Sequence, residues 1–186
     1  MPESNKIKYG ISNVHYAVMA SDGTYGTVKA LPGAVSISFA SQGDRNVFYA
    51  DNIEYWVSNT NNGYEGDLEV ARLTDELRKD LLGETLEATD KVLIETSDGS
   101  DAIRFALGFQ VEGDAKDTKF WFLNCTASRP AVNSTTKEEN ITPQTDSISI
   151  KASPTSADGV VRVKTTDDTT TAIDEGWFSS VYVPTL

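Results

Sequence analysis

The chain has 186 residues, 39% hydrophobic and 24% charged, with a net charge of −12. That is enough chain for one domain with a proper core, and a surface this acidic repels phosphate, which disfavours sequence-specific binding of DNA or RNA. The single cysteine, Cys125, excludes an internal disulfide framework and points to a reducing compartment, no apolar run reaches the length of a membrane span, and the N-terminal MPESNKIKYG lacks a signal-peptide core.

Taken in order, the pattern is β almost throughout. Lys6 to Gly10 and Asn13 to Met19 read as two strands joined by a tight turn at Gly10 to Asn13. Ser21-Asp22-Gly23 signals a turn, Gly26 to Ala30 a further strand, and Pro32-Gly33 a second turn. Val35, Ile37 and Phe39 alternate with Ser36 and Ser38, the period of a strand with one wet face.

The stretch from Gly43 to Gly83 organises the rest. Ser41 to Asn62 sets Phe48, Tyr49, Tyr55 and Trp56 among polar residues and Asn-rich turn signals. Four aromatics in so polar a segment are hard to bury within one subunit, so it is expected to project as an arm or long loop over 41–62 that finds its partner on another molecule. Leu68 and Val70 then alternate with Asp67 and Glu69 as a half-buried strand. Thr74 is placed to cap a short helix, Asp75 and Glu76 suit its positive end, and Gly83 suits a left-handed stop. Leu77, Leu81 and Leu82 share one face of that helix, which must dock on something larger to persist.

Glu84 to Asp90 is a connection, and Lys91 to Thr96 a strand that ends at an Asp98-Gly99 turn. Ile103, Phe105, Leu107, Phe109 and Val111 occupy every second position, as in a central strand with one apolar face. Glu112-Gly113-Asp114 turns the chain into Lys119 to Ala127, where Trp121 and Phe122 take opposite sides. A short edge strand over Val132 to Thr136 and a polar loop over Lys137 to Gln144 follow. Ile148, Ile150 and Ala152 form another one-sided strand, broken at Pro154 to Asp158, beyond which a C-terminal arm is expected. Val161 and Val163 lie on a strand, Thr165 to Thr171 is irregular, and Trp177 to Val183 closes as a strand stopped by Pro184. Ten or so short strands with one helix predict a single all-β domain over 1–186, a sandwich or barrel.

Catalytic and metal chemistry find little support. His15 is the sole histidine, so any Ser–His–acid or Cys–His arrangement would have to be built around it. Cys125 sits in an apolar strand without a basic neighbour to favour its thiolate. One His and one Cys do not make the usual zinc sets, and the calcium-loop and phosphate-loop spacings are missing. The paired carboxylates at Asp114 and Asp117, Glu138 and Glu139, and Asp167 and Asp168 read as solvated turn residues. The N-x-S/T triplets at Asn124, Asn133 and Asn140 carry no weight without a secretory route. No enzymatic activity, metal or cofactor is expected.

A series of short motifs runs through nearly the whole chain. In order they are NVHYA at Asn13, PGAV at Pro32, FYADN at Phe48, NNGYEGDLE at Asn61 and LRKDLLG at Leu77, then FALGFQVEGD at Phe105, NCTASRP at Asn124 and ITPQT at Ile141. Each is weak alone; together they resemble the major tail proteins, or tail-tube subunits, of long-tailed non-contractile bacteriophages, of the phi-thirteen type found among phages of Gram-positive bacteria. The resemblance implies a β-sandwich or open barrel with a flanking helix, six copies to a ring, and rings stacked into a tube in the virion tail, the protein being made in the host bacterial cytoplasm. It also implies that inner sheets of neighbouring subunits join around the lumen. About 24 strands at ~4.8 Å and ~40° tilt enclose a backbone diameter of roughly 50 Å, wide enough for duplex DNA. The implied partners are further copies of the chain, the tape measure, tail terminator and distal tail proteins, and duplex DNA passing without specific binding; no membrane is implied. On this resemblance Phe48, Tyr49, Tyr55, Trp56 and Tyr64 are the candidates for subunit or ring-stacking contacts, with Leu77, Leu81 and Leu82 docking the helix. The chain departs from the pattern by ending at Leu186, without the immunoglobulin-like domain some relatives append.

Three other readings compete. A surface adhesin or pilus-like domain is disfavoured by the absence of a signal sequence and by the single cysteine. A carbohydrate-binding sandwich would use Tyr55, Trp56 or Trp121. An enzyme would need His15 in a pocket with a carboxylate.

Overall fold

The computed structural model describes residues 5–97, 102–137 and 142–185. The Asp98-Gly99 turn lies outside the described residues, as do 138–141 of the expected polar loop. The fold is mainly β, built around one large antiparallel sheet. Its elements in chain order are β1 (Lys8–Val18), β2 (Lys29–Ala30), β3 (Ala34–Gln42), β4 (Arg45–Ala50), β5 (Ile53–Asn59), β6 (Gly63–Val70), α1 (Asp75–Leu82), β7 (Thr85–Leu86), β8 (Leu93–Ile94), β9 (Phe105–Gly113), β10 (Thr118–Ala127), β11 (Asp146–Ser153), β12 (Arg162–Lys164) and α2 (Thr171–Glu175).

The main sheet runs β2-β1-β9-β10-β11-β6-β3, and β12 also pairs with β10. β10 lies along β9 on one side. On its other side Phe120–Phe122 meets β12, while Asn124–Ala127 meets β11. The sheet therefore divides at β10, and its two halves share one core. Tyr16, Phe105, Leu107 and Phe122 from β1, β9 and β10 are buried with Leu68, Val70, Ile148 and Ile150 from β6 and β11. Among the described residues the sheet does not close into a barrel; β2 and β3 are its ends.

α1 is capped at both ends by its sequence. Thr74 Oγ1 accepts from the Leu77 N–H at 3.2 Å, and Gly83 takes the left-handed conformation with φ 71°. Leu77 and Leu81 are buried in the main core, and Leu82 packs at its edge.

Several expectations need correction. The first two strands are one, β1: Gly10 (φ 70°) and Asn13 (φ 50°) sit at register shifts, so the apparent turn signals mark bulges rather than a reversal. Of Gly26 to Ala30 only Lys29 and Ala30 pair, and of Lys91 to Thr96 only Leu93 and Ile94. A bulge between Ala34 and Ser36 turns Val35 outward, away from the face that Ile37 and Phe39 share. Phe105 to Phe109 is buried on both faces, not one, because a second cluster covers the other side. Val132 to Thr136 is not a strand, and Val132 is exposed. Trp177 to Val183 does not pair either; α2 precedes it, and the chain continues in turns.

The second cluster explains that last result. Ala106, Trp121, Leu123 and Trp177 are buried together, with Tyr25, Val28, Val163 and Phe178 packed around them. Trp121 Nε1 donates to the Trp177 carbonyl at 3.0 Å, and Lys119 Nζ donates to the Asp174 carbonyl at 2.6 Å. Burying two indoles over β9 and β10 holds the C-terminal stretch against the sheet face, where ladder pairing would lift Trp177 away. The segment expected to extend as an arm from about residue 154 thus lies, in the single chain, along its own sheet.

Candidate functional site

Residues 41–62 are the feature that demands explanation. Ser41 and Gln42 still belong to β3, and beyond them β4 and β5 form a separate two-stranded sheet, so the projecting segment is a hairpin rather than an irregular loop. The turn between them is Asp51-Asn52, both with positive φ (52° and 63°), the two-residue turn whose twist suits a hairpin. At the base, Thr60 N–H donates to the Asp44 carbonyl at 2.9 Å and Asn62 N–H to the Gln42 carbonyl at 2.8 Å, so the ribbon continues out of β3 and β6. Gly43 permits the joint, because a Cβ there would overlap the Thr60 carbonyl oxygen. From base to turn the hairpin is about 20–25 Å long.

Both of its faces are apolar. Val47 opposes Val57 on one side and Phe48 opposes Trp56 on the other. A register shift between Phe48 and Tyr49 leaves Tyr55 without an opposite residue. Polar bonds are few: Arg45 holds Glu54 at 2.7 Å and the Tyr49 hydroxyl donates to Glu54 at 3.3 Å. Nothing among the described residues covers these rings. Phe48 is 59% exposed, Tyr55 70% and Trp56 55%, and Tyr49, Ile53 and Val57 are exposed with them.

Of the five predicted contact residues the structure therefore gathers four, Phe48, Tyr49, Tyr55 and Trp56, on one hairpin. Tyr64 lies apart on β6, half-buried, with its ring edge against Phe122 (centroids 5.4 Å, 82°) and Arg162 over its face at 5.2 Å. Its contacts are within the chain. Val47, Val57, Ile53 and the Asp51-Asn52 turn escaped the sequence reading. An Asp-Asn pair between alternating Val47, Tyr49 and Ile53, Tyr55, Val57 was the available signal.

The adjoining sheet face has a different character. On the side of β6 away from the core, Glu65, Asp67 and Glu69 alternate, and their neighbours across the ladders are mostly small hydroxyls. Ser36 and Ser147 flank Glu69, while Ser38 and Ser149 flank Asp67. Thr145 and Ser36 donate to Glu69 at 2.6 and 2.8 Å, and these bonds hold its carboxyl below the usual range. Ser149 donates to Asp67. The result is an acidic stripe in which Ser36, Thr145 and Ser149 are committed to carboxylates and Lys151 stands opposite Glu65 at 3.9 Å.

The remaining polar groups of interest are engaged internally. A groove of about 1130 Å³ lies between the turn after β1, Arg104 and the turn after β11. In it Lys29 is held by Glu76 at 2.8 Å and Asp80 at 2.6 Å, and the Tyr16 hydroxyl donates to Asp80 at 2.9 Å. Arg104 donates to Asn124 at 2.7 Å. His15 stacks on Phe178 (4.6 Å, 13°), with Nδ1 2.8 Å from the Asn13 carbonyl. Cys125 is fully buried, which pushes its thiol pKa far up.

No protein-family model matches this chain, and no curated protein matches it.

Proposed function

We propose that this protein is a structural subunit that assembles with copies of itself into hexameric rings stacked as a phage-type tail tube, around a passage for duplex DNA. The observation that carries the reading is the hairpin β4–β5, apolar on both faces and uncovered. Four aromatics with Ile53 and Val57 expose on the order of 700 Å², close to the ~800 Å² one partner contributes to a stable interface. An apolar ribbon this exposed is a liability in a solitary molecule. In an assembly it becomes an arm laid between neighbours.

The acidic, hydroxyl-filled face of β3, β6 and β11 complements the arm. A surface with small side chains, fixed carboxylates and a lysine, Lys151, set against Glu65 offers phosphate little to hold, which suits a wall that DNA slides past. On this reading the folded sheet with its docked helix is the sandwich of a tube subunit, and the open edges at β3 and β2 leave room for sheets of adjacent copies to meet. The motif series described above supports the same reading. A carbohydrate-binding module is the second candidate, because Tyr55 and Trp56 are exposed rings that could stack on a sugar.

Sedimentation over a concentration series tests the choice. A tube subunit passes from small particles to very large ones over a narrow range. A species that remains a monomer at every concentration, yet binds oligosaccharide through Tyr55 or Trp56, would replace the first reading with the second.

A further inference from the structure

The joint between the hairpin and the main sheet carries a covalent weak point. Asn62-Gly63 is the one Asn-Gly pair in the sequence. In such a pair the glycine nitrogen can reach the asparagine side-chain amide, because no Cβ on the following residue obstructs the approach. The fold requires glycine here: Gly63 is buried with φ 99°, and a Cβ would overlap the Ala152 carbonyl oxygen. Nothing comparable fixes residue 62. Asn62 is exposed, its backbone N–H makes the rung to the Gln42 carbonyl at 2.8 Å, and among the described residues its side chain makes no hydrogen bond.

The residue before the pair opposes the attack. Asn61 Oδ1 accepts from the Gly63 N–H at 3.1 Å, a side-chain turn that spans the pair. Attack needs that N–H proton removed and the nitrogen turned towards Asn62 Cγ. The Asn61 bond and the pairing of Gly63 with Gln42 therefore have to open first.

We infer that Asn62 is a site of spontaneous self-modification, converted to aspartate or isoaspartate through a cyclic imide with Gly63, and that Asn61 sets its pace. The Gly63 nitrogen bonds to Asn62 Cγ, the Cγ–Nδ2 bond breaks, and ammonia departs with the proton that the glycine gave up. Water then opens the imide, so the net change is amide and water to acid and ammonia. Opening at the main-chain carbonyl leaves isoaspartate, which puts one extra carbon into the backbone at the base of the hairpin. The Asn62 rung and the fit of Gly63 against Ala152 cannot both be kept with that insertion. The hairpin then loses its fixed direction and gains a negative charge at its root. None of this depends on whether copies assemble.

Incubating the intact chain in warm, mildly alkaline buffer and mapping its peptides by mass spectrometry tests the assignment. The acid form should accumulate at residue 62 ahead of every other asparagine, and the aged chain should show faster amide exchange at Thr60 and at residue 62. Asn61→Ala should convert roughly two- to tenfold faster than wild type, the span that one lost neutral hydrogen bond gives. Asn61→Asp, which keeps the acceptor, should show no such gain. In urea the wild-type and Asn61→Ala chains should convert at a common, higher rate, since the guarding bond exists only in the fold. Asn62 persisting as the amide while other asparagines convert would overturn the inference, as would Asn61→Ala keeping the wild-type pace in buffer. A buffer rate for Asn61→Ala equal to its rate in urea would overturn it too, because Asn61 would then support the whole fold rather than guard one bond.

Discussion

Trp121 shows how single residues hold the two cores apart. It faces the C-terminal segment while Phe122, the next residue, faces the main core. Gly108 opposes it across the ladder, and a Cβ there would run into the Trp121 ring. Trp121→Ala should cost about 3–5 kcal/mol, visible as a lower denaturation midpoint, and should loosen residues 165–183 before the main sheet, which hydrogen exchange would detect. The opposition of Trp121 and Phe122 was legible in the sequence because a β-strand alternates sides. The destination of Trp177 was not, since nothing in a Thr- and Asp-rich run says which distant face an indole will cover. Two phenols add a pH signature. Burial, with the hydrogen bond to Asp80, raises the pKa of Tyr16, and burial raises Tyr25 to about 12. A phenol with a raised folded-state pKa favours the fold while it stays protonated. Its contribution is therefore whole below the ordinary value of about 10 and is lost as pH rises towards the folded value. Chemical denaturation at pH 8 and above 10 should show the loss; a flat profile would contradict the burial of both rings.

At the scale of elements, the hairpin and α1 differ in how they are stabilised. The cap at Thr74, the acidic first turn and the glycine stop fix α1 from local sequence, and its position follows from Leu77 and Leu81. The existence of α1 was therefore readable. β4 and β5 are harder to read from sequence, because the bulge between Phe48 and Tyr49 interrupts the alternation around Asp51-Asn52 and leaves only a polar stretch rich in aromatics. Strand limits failed wherever glycine or asparagine marked a bulge instead of a turn, as in β1. Because the β3–β6 ladder ends at Gln42 and Gly63, the hairpin is separable from the fold. Replacing residues 44–60 with a short turn should leave far-UV circular dichroism and the denaturation midpoint close to those of the intact chain while abolishing large particles. Collapse of the whole domain would show that the ribbon is structural rather than an arm.

For the molecule as a whole, charge and apolar surface pull in opposite directions. A net charge of −12 on every copy opposes association at long range, while the hairpin favours it at contact. Added salt screens the first and leaves the second largely intact. The concentration needed for assembly should therefore fall as sodium chloride rises from ~20 to ~200 mM, and a threshold that rises with salt would mean that ion pairs, not apolar burial, hold the copies together. On the proposed reading, this domain satisfies its exposed arm only with copies of itself. Negative-stain microscopy of the purified protein, concentrated at moderate salt, tests that most directly. The prediction is tubes of one uniform width with a central channel, absent when the hairpin is removed; isolated single particles at every concentration, or tubes that persist without residues 44–60, would contradict it.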